Sequence, residues 1–207
     1  MYVQWFVKGV GGQGVSGPPG MTCPEASAMI AGGHGILCNW WRNKPEGAIR
    51  PSEIQDVLTE HNLDRHVHDY EHFGPESPFI SLASGAVERD AALRRNFIYS
   101  AVDTALGFAT DSWARPGALF YGWTLVGLNP AVGLSVVAEE IRDLHVYRRW
   151  SPFQLEGEIT AKIHIPANQI SHVEWWDGGV DRSCPIDHYT NPDFVEPTPI
   201  LNARDRF

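Results

Sequence analysis

The stretch that decides the fold spans residues 151–176 and reads SPFQLEGEITAKIHIPANQISHVEWW. Within it, small and branched apolar residues at 159, 161, 163 and 165 alternate with polar residues at 158, 160, 162 and 164. This period of two is typical of a half-buried strand. Pro166 ends the strand, and the apolar run at 170–176 predicts the next one. The last third of the chain is therefore expected to contribute consecutive strands to a sheet.

Working outward, the rest of the chain mixes helical and strand patterns. Residues 51–63, which begin with Pro51, predict a short amphipathic helix, and residues 86–108 predict the longest helix, with Ser84 as its N-cap. Further strands are predicted at 36–41, 78–81 and 118–126, with weaker candidates at 134–137 and 145–147. Because helices dominate early and strands late, the sequence predicts an α+β domain.

The two ends of the chain have a different composition from its middle. Residues 8–35 are dense in glycine and predict a loop, so residues 1–35 are expected to form an N-terminal lead-in. The tail from 177 to 207 is rich in proline, aspartate and asparagine and is expected to wrap the surface. Residues 36–176 then form the main domain, and 207 residues suit one compact domain better than two.

Bulk properties exclude several classes of protein. The formal net charge of -9 disfavours nonspecific binding to nucleic acid or anionic lipid. No apolar run approaches the roughly 20 residues that cross a bilayer. The N-terminus lacks a recognisable signal-peptide pattern, which leaves the localisation open. The three cysteines, Cys23, Cys38 and Cys184, are too few for a disulfide scaffold, and their redox state also stays open.

Two glutamates stand at the start of the predicted strand. Glu156 and Glu158 are two residues apart, so on a strand their side chains point to the same side. Two carboxylates so close need a cation, a hydroxyl donor or a ligand between them. By spacing alone, however, the pair is more typical of ordinary glutamates at a solvated strand edge.

The surroundings of this pair resemble the third signature of the cholera-toxin-like ADP-ribosyltransferases. In that family a Glu-x-Glu motif opens a strand, and Ile-Pro and Gln-Ile follow before the next strand. The corresponding elements here are Glu156-Gly157-Glu158, Ile165-Pro166 and Gln169-Ile170, with Ser151 shortly before them.

The first two signatures of that family have counterparts earlier in the chain. An apolar stretch ends on Arg42 and is followed by a proline-bearing turn that is slightly shorter than usual. Ser81 matches the leading serine of the Ser-Thr-Ser triplet, whose other two positions are altered here. The resemblance covers about residues 36–176 and implies a split β-sheet core with helices packed around an NAD cleft.

The resemblance implies a role for each matching residue in cleaving the bond between nicotinamide and ribose. Glu158 would stabilise the positive charge that develops on the ribose. Arg42 would pair with a phosphate of NAD, and Asn43 would offer backbone groups to the nicotinamide amide. Ser81 would bind NAD and orient Glu158.

The resemblance also implies which residues contact the acceptor. Glu156 would accept a proton or a hydrogen bond from the attacking group, and Trp150 and Phe153 on the preceding turn could contact the acceptor. A glutamate at the first position goes with arginine acceptors in the family, so Glu156 favours a guanidinium. The negative surface also suits a cationic acceptor.

Three functions follow from these observations. The first is mono-ADP-ribosyl transfer by a glycosyltransferase that uses NAD as co-substrate, as a toxin or effector. The second is NAD glycohydrolase activity, or transfer to a small molecule, on the same fold. The third is an inactive relative that binds a nucleotide or a partner. No metal is expected, because the histidines at 61, 66, 68 and 72 lack a third ligand at fixed spacing and predict a solvated loop.

Overall fold

The computed structural model describes residues 2–13, 20–45, 50–84, 86–90, 95–126, 139–140, 158–179 and 184–198. The predicted strands at 134–137 and 145–147 lie outside these ranges. The described strands are, in chain order, β1 (Tyr2–Gly11), β2 (Ile36–Leu37), β3 (Phe79–Ala83), β4 (Ala86–Asp90), β5 (Arg95–Tyr99), β6 (Gly117–Val126), β7 (Glu139–Glu140), β8 (Glu158–Lys162), β9 (His164–Ile165), β10 (Ile170–Trp176) and β11 (Asp187–Thr190). The described α-helices are α1 (Cys23–Ala31), α2 (Asn39–Arg42), α3 (Pro51–Val57), α4 (Glu60–His68), α5 (Tyr70–Phe73) and α6 (Ala101–Thr110).

Seven strands form one antiparallel sheet in the order β11-β10-β6-β1-β3-β8-β7. β1 pairs with β6 along its whole length, from Tyr2 opposite Val126 to Gly11 opposite Gly117. With β3, in contrast, it pairs at a single position, Val7 opposite Ala83. The sheet therefore divides into two halves that diverge between β1 and β3. This is the α+β fold with a split sheet that the sequence predicted, and the prediction is confirmed.

Both faces of the sheet are covered by helices. Phe6 and Phe120 belong to the larger hydrophobic cluster, which also includes Leu63 of α4. Their chain neighbours Val7 and Leu119 point the other way and join a second cluster beneath α6. Successive side chains on a strand face opposite sides of the sheet, so two adjacent residues pack into the two different hydrophobic clusters.

The packing of α6 on β1 depends on a glycine. A Cβ atom built on Gly9 would lie 2.2 Å from the carbonyl oxygen of Ala105, whereas one built on Gly107 has no atom within 4 Å. We therefore expect Gly9→Ala to lower the free energy of unfolding by roughly 1–3 kcal/mol through overpacking. The matched variant Gly107→Ala, in the interior of α6, is expected to raise it by about 0.5–1 kcal/mol.

Urea unfolding of Gly9→Ala, Gly107→Ala and the wild type measures both changes in the free energy of unfolding. Equal effects of the two substitutions would show that α6 does not pack on β1 as described.

The glycine-rich N-terminal region is not the loop that the sequence predicted. Residues 2–11 form β1, the central strand of the seven, and residues 23–31 form α1. α1 begins with a capping box between Thr22 and Glu25, which satisfies free backbone N–H groups at the helix start. Glycine density therefore misled the prediction, because Gly12, Gly20 and Gly35 accommodate close contacts with other backbone segments of the packed domain. The boundaries of the predicted domains stay predictions.

The long helix predicted at 86–108 is wrong over its first half. Residues 86–90 and 95–99 instead form the strands β4 and β5, paired from Ala86 opposite Tyr99 to Asp90 opposite Arg95. α6 begins only after Ser100, whose Oγ accepts a hydrogen bond from the Asp103 backbone N–H. β-prone valine and aromatic residues in 86–99 carry the strand preference that the helical spacing concealed.

The predicted strand at 36–41 and helix at 51–63 also need correction. Only Ile36 and Leu37 form a strand, and α2 follows after Cys38, where the Trp40 N–H donates to the carbonyl of Ser77 at 3.0 Å. The predicted helix is two helices, α3 and α4, because Thr59 caps the second by accepting a hydrogen bond from the Asn62 N–H.

The strands that first indicated the fold are mostly where the sequence placed them. The predictions at 78–81, 118–126 and 170–176 correspond to β3, β6 and β10. The strand predicted to run to residue 165 breaks at Ile163, which has φ 65° and separates β8 from β9. All five residues of β8 are buried, so this strand is not half-exposed as its alternation suggested. The C-terminal tail contributes β11 to the sheet edge.

Candidate active site

A cavity of about 270 Å³ opens where β1 and β3 diverge. Its walls come from β1, β3, the start of β8, and the helices α4, α5 and α6. Four of the side chains that line it can take part in chemistry: Lys8, His66, Ser81 and Glu158. They come from positions far apart in the chain, and the order of the strands in the sheet brings them together.

Glu158 is the first residue of β8 and lies opposite Ala83 of β3. Its side chain is 7% exposed, yet it lines the cavity. The carboxylate is therefore largely shielded from bulk solvent. A carboxylate in such a place acts on a bound molecule with little screening by water.

Lys8 lies in the same cavity, on the central strand β1, and the sequence analysis missed it. Burial lowers the pKa of Lys8 to about 8, the Glu158 carboxylate opposes that shift, and the positive charge of Arg42 adds to it. At neutral pH the ammonium is still mostly protonated, so it can attract an anion. In the sequence, Lys8 is a single lysine within an apolar run, a pattern that could have identified it. It was overlooked because this region was interpreted as a loop.

His66 connects two serines beside the cavity. Its Nε2 lies 2.9 Å from Ser81 Oγ, and its Nδ1 lies 2.7 Å from Ser77 Oγ. Burial lowers the pKa of His66 to about 3, with a further contribution from Lys8. The imidazole is therefore neutral at physiological pH, donating through one nitrogen and accepting through the other.

The loop predicted around the histidines at 61, 66, 68 and 72 is wrong, although His61, His68 and His72 are exposed as predicted. Residues 61, 66 and 68 lie on α4 and residue 72 lies on α5, and His66 is only 3% exposed. Within the part of the chain that the structure describes, no group of three histidine, cysteine, aspartate or glutamate residues could hold a metal ion.

Arg42 and Asn43 lie beside the cavity rather than in its lining. Arg42 is the last residue of α2 and donates a hydrogen bond to Asn39 Oδ1 of the same helix. Its charge still acts on Lys8, which places the guanidinium within electrostatic range of the cavity. Asn43 Nδ2 donates to the carbonyl oxygen of Pro75 at 2.7 Å. The roles of both residues stay predictions.

Ser81 lies in the middle of β3, opposite Thr160 of β8, and contacts His66. Its role in orienting Glu158 stays a prediction. Three further residues that the sequence singled out, Glu156, Trp150 and Phe153, lie outside the described residues.

No family model matches the sequence, and no curated protein matches it significantly. Solved structures do match the fold. EcPltA superposes with a TM-score of 0.51 at 11% identity, over 95% of this chain and 90% of that one. An arginine-to-lysine mutant of the heat-labile enterotoxin, compared through its A subunit, matches with a TM-score of 0.40 at 14% identity, over 92% and 75% of the two chains.

The catalytic domain of the mosquitocidal toxin from Bacillus sphaericus, as a glutamate-to-glutamine mutant, matches with a TM-score of 0.42 at 11% identity. That match covers 94% of this chain and 57% of the other. The likeness to EcPltA extends over nearly the whole of both chains and shows a shared fold. With the split sheet, it establishes an ADP-ribosyltransferase-like fold for this chain. Among the described residues, no helix is both long and apolar enough to span a membrane.

Proposed function

We propose that this protein is a mono-ADP-ribosyltransferase that cleaves NAD at the nicotinamide–ribose bond and transfers ADP-ribose to an acceptor. The observation that carries the proposal is that Glu158 and Lys8 line one cavity at the split of the sheet and act on each other electrostatically. NAD has a ribose that becomes positively charged during cleavage and two negatively charged phosphates. A carboxylate and an ammonium in one cavity match those two features.

The proposed reaction breaks one bond and forms another. The electrons of the bond between ribose C1′ and nitrogen leave with nicotinamide, and positive charge develops on the ribose. Glu158 stabilises that charge because its carboxylate is fixed in an enclosed site, where electrostatic interactions are strong. The acceptor then bonds to C1′ and gives up its proton, for which Glu156 is the proposed recipient.

Lys8 and Arg42 are the proposed phosphate-binding residues. Lys8 lines the cavity and Arg42 ends α2 within electrostatic range of it. An arginine can hold a phosphate through two parallel hydrogen bonds, whereas a lysine acts as a point charge. The two cations therefore complement each other around a pyrophosphate.

The size of the cavity limits how much of NAD it encloses. At about 270 Å³ it lies just below the roughly 300–1,000 Å³ found for small-molecule pockets. We infer that it encloses nicotinamide and its ribose, with the adenosine half against the rim. The acceptor proposed is a guanidinium on a protein, which suits the net charge of -9 and Glu156.

Release of nicotinamide from NAD by the purified chain, with and without an arginine analogue, tests the proposal. Release that the analogue stimulates, together with labelling of the analogue by ADP-ribose, supports transfer to a guanidinium. Release without labelling identifies a glycohydrolase instead. Binding of NAD without any release would identify an inactive relative and overturn the proposal.

Lys8 gives the proposed site a distinctive pH dependence. Because burial lowers the pKa of Lys8 to about 8, the unliganded protein loses this positive charge as the pH rises through 8. If ADP-ribose binds only to the protonated form, its Kd should increase roughly tenfold between pH 7 and pH 9. A Lys8→Arg variant keeps its charge over this range and should bind with constant affinity.

Titration calorimetry with ADP-ribose at pH 7, 8 and 9 measures both curves. A wild-type affinity that does not change with pH would contradict the role of Lys8 in binding phosphate.

A further inference from the structure

A large aromatic side chain stands exposed at the mouth of the cavity. Tyr70, the first residue of α5, lines the cavity and is 52% exposed. Phe108 of α6 also lines it and is 62% exposed. Large apolar rings are usually buried, and rings left exposed around a concave site are typical of surfaces that bind a ligand.

Contacts on two sides hold the ring of Tyr70 in place. It packs edge-on against the buried His66, with ring centroids 5.3 Å apart and planes at 84°. Its hydroxyl oxygen accepts a hydrogen bond from Asn39 Nδ2 at 3.3 Å. An aromatic ring oriented in advance binds a flat partner with little loss of side-chain entropy.

The same contacts define where Tyr70 stands relative to the proposed NAD groups. His66 joins it to Ser81, and Asn39 belongs to α2, the helix that ends with Arg42. In NAD the pyrophosphate follows the nicotinamide ribose, and the adenosine follows the pyrophosphate. With the ribose at Glu158 and the pyrophosphate between Lys8 and Arg42, the adenosine would extend toward α2, whose Asn39 contacts Tyr70.

We propose that Tyr70 stacks on the adenine base of NAD outside the cavity and so contributes affinity for the adenosine half of the dinucleotide. This inference rests on the proposed function and adds a base-binding residue to it. Stacking of a base on an aromatic side chain contributes roughly 1–3 kcal/mol, which corresponds to about a 5- to 150-fold change in affinity.

Phe108 is the alternative position for the base. It is a ring of similar size and exposure in the lining of the same cavity. It lies on α6, however, which packs over the second hydrophobic cluster rather than beside α2. Truncation of Phe108 removes a comparable apolar surface from a wall that does not carry the proposed path of the adenosine.

The test compares two halves of NAD by titration calorimetry. ADP-ribose contains the adenine, and nicotinamide mononucleotide lacks it. We expect Tyr70→Ala to raise the Kd of ADP-ribose about tenfold and that of nicotinamide mononucleotide less than twofold. Tyr70→Phe should bind both as the wild type does, because it keeps the ring, and Phe108→Ala should raise the Kd of ADP-ribose less than Tyr70→Ala does.

Each other result overturns the inference in a recognisable way. Equal weakening of both ligands by Tyr70→Ala would show a general effect on the fold through His66. Weakening of ADP-ribose by Phe108→Ala and not by Tyr70→Ala would place the base on α6. If wild-type protein releases nicotinamide but the Tyr70 variants bind normally, only this inference fails. If the wild type binds neither ligand and releases no nicotinamide, the proposed function fails with it.

Discussion

Glu158→Gln is expected to reduce nicotinamide release from NAD by roughly a thousandfold while the protein stays folded. The substitution keeps the shape of the side chain and removes the charge that would stabilise the developing ribose cation. It is preferable to alanine because Glu158 is only 7% exposed and a truncated side chain would leave a hole beside β3. The measurement is the rate of nicotinamide release at saturating NAD, with circular dichroism to monitor the fold.

Glu174→Gln is the matched control for this experiment. Glu174 lies on β10 of the same sheet, where it accepts hydrogen bonds from Tyr121 at 2.7 Å and from Trp176 Nε1 at 3.1 Å. It does not belong to the cavity lining. Its neutralisation should leave nicotinamide release unchanged. Wild-type turnover by Glu158→Gln, or an equal loss in both variants, would contradict the assignment of the catalytic carboxylate.

Because His66 is buried in its neutral form, we expect acid to lower the free energy of unfolding of the wild-type protein. Burial lowers the pKa of His66 to about 3, whereas a histidine in an unfolded chain titrates near 6.5. Between these pH values the unfolded state binds a proton that the folded state does not. This contribution to stability is therefore complete above pH 6.5 and is lost as the pH falls toward 3.

The expected size of this effect is roughly 1.4 kcal/mol of unfolding free energy for each pH unit between about 6 and 4. A His66→Gln variant cannot take up the proton. Its free energy of unfolding should therefore fall less than that of the wild type, by roughly 1.4 kcal/mol for each pH unit over the same interval. Urea unfolding of both proteins at pH 7, 6, 5 and 4 measures the difference, which also cancels the contributions of the carboxylates. Parallel curves for the two proteins would show that His66 is not buried in its neutral form.

The hydrogen bonds of His66 add a second consequence. His66 lies between Ser77 and Ser81, and Ser77 Oγ also accepts a hydrogen bond from the Phe79 N–H at 3.1 Å. Protonation would place a donor at both ring nitrogens and a positive charge near Lys8. Because this protonation of the folded protein requires a pH near 3, nicotinamide release between pH 6 and 4 should be lost only as the protein unfolds, and tryptophan fluorescence at matched pH monitors the unfolding.

Several parts of the fold could be predicted because their residues carry a local pattern. β6 and β10 were predicted almost residue for residue, since aromatic and branched side chains there form continuous runs bounded by turn-forming residues. The hairpin at 86–99 was mistaken for helix because charged and small residues hide its strand preference. Pairing between the two strands outweighs such weak local preferences.

The sequence by itself determined the α+β class, the strands on both sides of Pro166, and Ser81 and Glu158 as candidates for a common site. Each of these follows from side-chain periodicity or from motifs within a few neighbouring residues. Only the tertiary structure decided that Lys8, Ser81 and Glu158 share a cavity, because strand order β1-β3-β8 places residues distant in the chain side by side. The burial that lowers the pKa values of Lys8 and His66 arises from the same packing. Such contacts join residues too far apart in sequence for any local pattern to encode them.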